Sequence, residues 1–179
     1  AEVSDVTNAI LDGTDAIMLS GESANGDWPV ESVQTMAKIA VEAETKLNYE
    51  TAVSTAKSHI PAVSGVISRA ACNAANELNA AAIVSSTKSG ATARRISQCR
   101  PECPIVAVTP SEKVAKSLAF CFGVYPVVAE DQNSTDAMMA NATKIAVENG
   151  FANSGDTVVI AAGLDQVGST NLLKVSVVE

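Results

Sequence analysis

The stretch "AAAIVSSTKSGATARRISQ" (Ala80–Gln98) sets the reading of this chain. Ala80–Val84 is a short apolar run bounded by polar residues, the pattern of a strand buried on both faces of a parallel sheet. It opens into Ser85, Ser86, Thr87, Lys88, Ser89 and Gly90, and a helical segment follows at about 91–99. The carboxyl end of such a strand, leading into a helix N-terminus, is where open α/β sheets bind ligands. Ser85, Ser86, Thr87, Ser89 and Thr92 supply hydroxyls, Lys88 a point charge, and Gly90 lets backbone come close. A phosphate or carboxylate site and an ordinary capped strand-to-helix turn are the two readings of these residues.

Outward from this stretch the pattern repeats. A helix is expected at about 62–78, strands at 81–85, 105–108, 123–129 and 156–163, and helices at about 111–121 and 134–150. Ser134 is the expected cap of the last of these helices, and Gly150 its end. Only "LDQVGST" (Leu164–Thr170) separates the fourth strand from "NLLKVSVVE" (Asn171–Glu179), too short for a parallel crossover, so the final strand should run antiparallel. The fold class that follows is α/β, a three-layer α/β/α sandwich on a five-stranded mixed sheet.

Before residue 62 the order differs. "SDVTNAILDG" (Ser4–Gly13) reads as a helix capped by Ser4 and stopped by Gly13, "DAIMLS" (Asp15–Ser20) as a buried parallel strand, and Pro29–Leu47 as a long helix with proline in its first turn. One strand cannot make a sheet. The division expected is 1–48, a linker over 49–61, and 62–179.

Composition narrows the function. The 179 residues are 47% hydrophobic and 18% charged, as in a globular core, and the net charge of −8 speaks against nucleic-acid or acidic-membrane surfaces. Three Phe, two Tyr and one Trp give little base-stacking surface. No apolar run reaches the roughly 20 residues of a membrane span, no signal peptide is visible, and a cytoplasmic location is expected. Cys72, Cys99, Cys103 and Cys121 suggest no disulfide framework, and with His59 the sole histidine no metal-ligand cluster is found. His59 itself falls in the expected linker. Met138 and Met139 read as core. Lys88–Lys116 carries six basic residues against two acidic ones, a locally positive stretch in an acidic chain. P-loop, dinucleotide, nucleophile-elbow and zinc patterns are all missing.

Longer patterns carry a family resemblance. "AEVSDVTNAILDGTDAIMLSGESANGDWPVESV" (Ala1–Val33) closely resembles pyruvate kinases near the end of their (β/α)8 barrel. "CRPECPIVAVTP" (Cys99–Pro110), "GVYPVV" (Gly123–Val128), "SGDTVVIAAG" (Ser154–Gly163) and "GSTNLLKVSVV" (Gly168–Val178) resemble the same family, co-linearly over essentially the whole chain. The resemblance implies that residues 1–48 are a C-terminal piece of the barrel (helix 7, strand 8, helix 8). It implies that 62–179 is the C-terminal, effector-binding domain. The family transfers a phosphoryl group from phosphoenolpyruvate to ADP with Mg2+ and K+. Its catalytic lysine and metal-binding acids have no counterpart here, so this chain alone is expected to bind neither ion and to be inactive. Ser20 and Glu22 match the loop at the active-site rim.

"TKSGATARR" (Thr87–Arg95) matches the family's effector loop. Carried over by position, Thr87, Lys88, Ser89, Gly90 and Thr92 would cradle a phosphate of fructose 1,6-bisphosphate, and Leu164–Asn171 would close over the sugar. That closing loop is about one residue shorter than in well-known bisphosphate-activated members and carries Asp165. Where some members hold the second phosphate with an arginine, this chain has Met138 or a close neighbour. A sugar monophosphate or AMP is therefore an alternative effector. The family is usually tetrameric, so a homo-oligomer is expected. Two other readings are a stand-alone phosphometabolite-binding module without catalysis and a purely structural oligomerisation domain.

Overall fold

The computed structural model describes residues 2–49, 62–132, 134–163 and 169–179. Most of the expected linker, with His59, and Leu164–Gly168 of the expected closing loop, with Asp165, lie outside the described residues. The chain divides into two units, Ala1–Asn48 and Tyr49–Glu179.

In the first unit, α1 (Glu2–Leu11) packs on α3 (Pro29–Glu44), with the single-turn α2 (Gly21–Ala24) also against α3. Ser4 lies inside α1, not at its cap, because the helix begins two residues earlier. The end of α1 follows the sequence. Gly13 takes φ 91°, the Thr14 amide donates to the Ala9 carbonyl at 3.0 Å, and the Gly13 amide donates to that of Ile10 at 3.0 Å. This paired arrangement satisfies the last carbonyls, and glycine occupies the left-handed position without a Cβ penalty. Pro29 stands at the first position of α3, where its missing N–H costs nothing.

Asp15–Ser20 does not form the expected strand. Its backbone is irregular, and Met18 is 87% exposed. An apolar run becomes a buried parallel strand only when neighbours pair both of its edges, and no strand of the first unit flanks this one among the described residues. Ile10 and Ala43 are the buried apolar side chains of the unit among the described residues.

The second unit begins with α4 (Val63–Glu77) and alternates from there: β1 (Ala82–Ser86), α5 (Ala91–Gln98), β2 (Ile105–Thr109), α6 (Glu112–Leu118), β3 (Val124–Val128), α7 (Thr135–Glu148), β4 (Thr157–Ala162) and β5 (Leu172–Val177). The sheet order is β3-β2-β1-β4-β5. All pairs are parallel except β4 with β5, which are antiparallel as the short connection requires. The three-layer fold expected from the sequence is the one observed.

Period two along β1 divides the core. Ile83, with Ile105 and Val159 beside it, faces Ala71, Cys72 and Ala75 of α4, Ala93 and Ile96 of α5, and Leu118 of α6. Val84, flanked by Val106 and Ile160, faces Met139, Ala142, Ile145 and Ala146 of α7. Both faces of β1 are covered, which explains its continuous apolar run Ala82–Val84. Ser134 caps α7 as expected, its Oγ accepting from the Ala137 amide at 3.2 Å, and Gly150 past its end takes φ 75°. The chain leaves β1 toward β2 on one side and later returns as β4 on the other, so the carboxyl end of β1 sits where the strand order reverses.

Candidate anion site at the strand ends

The Thr87 amide donates to the Val108 carbonyl at 2.9 Å, extending the β1–β2 pairing by one residue beyond the strand. The chain then turns sharply. The buried Thr87 Oγ1 accepts the Gly90 amide at 3.0 Å, and Gly90 lies at φ 82°. A Cβ on Gly90 would stand 2.5 Å from Arg94 Nη1 and 3.2 Å from Val114 Cγ1 and Leu118 Cδ2. Both the backbone angle and the space behind it call for glycine. Arg94 buttresses this turn from outside: Nη1 donates to the Ser89 carbonyl at 3.2 Å and Nη2 to Ser117 Oγ at 2.8 Å.

In front of the turn lies a cleft of about 340 Å³, bounded by the ends of β1, β2 and β3, the start of α7, and Gly163 after β4. Thr87, Lys88, Ser89 and Thr92 line it together with Ser86, while Gly90 sits behind as the turn former. Ser85 does not reach the cleft. Period two turns it to the Ile83 face, where its Oγ is fully buried with no hydrogen-bond partner among the described residues. Thr92 Oγ1 and Thr170 Oγ1 share a hydrogen bond of 2.6 Å, both residues being buried. That bond ties the start of α5 to the residue two before β5. A Cβ on Gly163 would meet the Ser169 carbonyl oxygen at 2.5 Å, so the two ends of the β4–β5 connection meet closely at its base.

The cleft has a mixed wall. Lys88 is the basic residue lining it, and Glu130 and Asp131, on the segment after β3, line it too. Lys88 Nζ and Asp131 Oδ2 are 2.5 Å apart, on side chains 78% and 50% exposed. Met138, Asn141 and Thr135 form the α7 side. Asp131, Glu130, Asn141 and Thr170 were not singled out by sequence. The first three come from elements remote in the chain, and Thr170 fell within the expected closing loop without a role of its own.

Ser20 and Glu22 lie in the first unit and make a local contact. The Ser20 amide donates to Glu22 Oε2 at 2.8 Å, and hydrogen bonds from the backbone of Glu22 itself and of Ser20 hold the Glu22 carboxyl below its ordinary value. The four thiols are free. A hydrogen bond with Cys99, and after it burial, push the Cys72 thiol up, and burial raises Cys103 to about 11, so neither is a ready nucleophile. The described residues contain no group of three or more His, Cys, Asp or Glu placed to hold a metal ion. No helix among them is long and apolar enough to cross a membrane.

The second unit is thus an open α/β sandwich with a polar cleft at the reversal point of its sheet. Residues 65–176 match the pyruvate kinase α/β domain, and residues 1–33 match the pyruvate kinase barrel domain. The chain belongs to the pyruvate kinase family. It is similar to the pyruvate kinase of Clostridium acetobutylicum, 51% identical over 182 residues, covering 100% of this chain and 38% of that protein. The Staphylococcus epidermidis pyruvate kinase is 46% identical over 181 residues, covering 99% of this chain and 31% of that protein. A crystal structure of a pyruvate kinase from Cryptosporidium parvum superposes with a TM-score of 0.89 at 34% identity, covering 99% of this chain and 36% of that one. The chain therefore spans about a third of the length of the relatives it matches.

Proposed function

We propose that this chain is the effector-binding portion of a pyruvate kinase, and that the cleft at the end of β1 holds the phosphate of a small metabolite. The observation that carries the reading is the Thr87–Gly90 turn, which lines the cleft with Thr87, Lys88 and Ser89. Lys88, Ser86, Ser89 and the loop backbone supply donors at the cleft, and the Thr87 hydroxyl, which accepts the Gly90 amide, keeps its own proton to donate. The whole enzyme would transfer phosphoryl from phosphoenolpyruvate to ADP with Mg2+ and K+. Ser20 and Glu22 would lie at the rim of its active site. The functional division would be 1–48, 49–61 and 62–179, in a cytoplasmic homo-oligomer, tetrameric as in the family.

A bound effector acts only through its different affinity for two conformations, and Thr92–Thr170 supports such coupling by joining the cleft to the β5 side of the sheet. A second reading, a stand-alone phosphometabolite-binding module, is favoured by the second unit's own core on both faces of its sheet.

Calorimetric titration with fructose 1,6-bisphosphate, ribose 5-phosphate and AMP tests the site. Lys88→Ala should weaken binding by about 1–3 kcal/mol, the scale of a hydrogen bond to a charged group. No binding by any of the three would remove the effector reading for this chain. A phosphoenolpyruvate–ADP assay is expected to show no turnover by the chain alone, and measurable turnover would overturn that expectation.

A further inference from the structure

The phosphate position in front of Lys88 is already facing an anion of the protein's own. Asp131 Oδ2 lies 2.5 Å from Lys88 Nζ, within the same cleft as Ser86, Ser89 and Thr92. A carboxylate and a phosphate are both multi-oxygen acceptors that bind an ammonium group through charged hydrogen bonds. One ammonium on an exposed, flexible stem is the point charge both would seek.

Asp131 reaches it from a short irregular segment. The Ala129 amide donates to the Thr109 carbonyl at 3.1 Å, which anchors that segment to the end of β2, and Gln132 Nε2 turns back onto the Glu130 carbonyl at 3.2 Å. The carboxylate thus comes from beyond β3 to a lysine beyond β1, crossing the end of β2 between them. The pair is half open to water, so its attraction is weak and reversible.

We propose that Asp131 is a built-in competitor for the anion position in front of Lys88, displaced when a phosphate binds. This inference rests on the reading of the cleft as a phosphate site. Displacement moves the Asp131 carboxylate away from both Lys88 and the incoming dianion, for which rotation of its half-exposed side chain is enough. Binding therefore takes Lys88 from an internal partner, and the free cleft is biased against anions that make no other contact. A phosphomonoester that also engages Ser86 or Ser89 overcomes that bias, whereas a bare anion does so poorly. Among the described residues lining the cleft Lys88 is the one cation, and Glu130 and the apolar Met138 line it too, so a second anionic group of a ligand finds no second cation among them.

The test is calorimetric titration of the chain with ribose 5-phosphate and, separately, inorganic phosphate. The proteins are wild type, Asp131→Asn, Lys88→Ala and the double variant. Asp131→Asn is expected to bind ribose 5-phosphate about threefold to fivefold more tightly than wild type, the ratio that an exposed ion pair supports. With Lys88→Ala in the background, the same substitution should gain less than about twofold, because the contested partner is gone. Inorganic phosphate should gain proportionally at least as much. Binding by Asp131→Asn equal to or weaker than wild type would overturn the proposal, and so would a gain undiminished in the Lys88→Ala background. In both cases the phosphate site itself survives if wild type binds and Lys88→Ala weakens it. No binding of either probe to wild type or Asp131→Asn would instead remove the phosphate site and the competitor with it.

Discussion

Two short apolar runs in this molecule, Asp15–Ser20 and Ala82–Ser86, invite the same local reading, and they end in different states. Ile83 of the second run is fully buried between strands on both sides and helices on both faces, whereas Met18 of the first is 87% exposed on irregular backbone. Their residues are similar in kind, since Ile17, Met18 and Leu19 are as apolar as Ala82, Ile83 and Val84. What differs is the company. β1 pairs with β2 and β4, and the first unit offers Asp15–Ser20 no such neighbour among the described residues. A parallel strand is a property of its ladder, because the backbone donors and acceptors it buries must all find partners outside itself.

Substitution at matching positions should widen this contrast most. Ile83→Ala is expected to cost about 2–5 kcal/mol by loss of burial and creation of a cavity, while Met18→Ala should stay within about 0.5 kcal/mol. Urea unfolding of both variants measures the difference, and comparable losses would mean that Met18 is buried in solution. A smaller effect is expected at the turn after β1. Gly90→Ala must place a Cβ at φ 82° against Arg94, and should cost about 1–2 kcal/mol by thermal melting. Phosphate binding should weaken with it as the Thr87–Gly90 turn opens. A variant as stable as wild type would show that Arg94 yields and that the turn tolerates a side chain.

The smallest expected effect belongs to the first unit. The Glu22 carboxyl is held below its ordinary 4.5, so the hydrogen bond it accepts from the Ser20 amide is present above that value and is lost as pH falls through the lower folded pKa. An NMR titration of the Ser20 amide should show a midpoint below 4.5, with Glu22→Gln abolishing the transition. A midpoint at or above 4.5 would mean that the contact does not persist in water.

The elements of the second unit were legible because each carries a local signal. Continuous apolar runs mark β1, β2 and β4, Ser134 and Gly150 bracket α7, and the short β4–β5 connection dictates antiparallel pairing. The candidate site was half legible. Thr87, Lys88, Ser89 and Thr92 lie within six residues of one another and follow a strand, so their convergence on one cleft could be expected. Asp131, Glu130 and Asn141 could not be placed there from sequence, since nothing local says that the segment after β3 and the second turn of α7 come up beside the end of β1. Ser4 lies inside the helix and not at its cap because a serine shortly before the apolar positions Val6, Ala9 and Ile10 serves equally well inside a helix as at its start.

By itself the sequence determined the alternation of strands and helices and the antiparallel last strand, and its long motifs carried the resemblance to the kinase family. The first two follow from periodicity and from connection length, both of which act over a handful of residues. Only the tertiary structure decided that Ser85 turns into the core while Ser86 faces the cleft, that Thr92 meets Thr170, and that Lys88 meets a carboxylate from beyond β3. Those outcomes depend on which strands become neighbours, and the free energy that selects neighbours comes from burying both faces of the whole sheet at once.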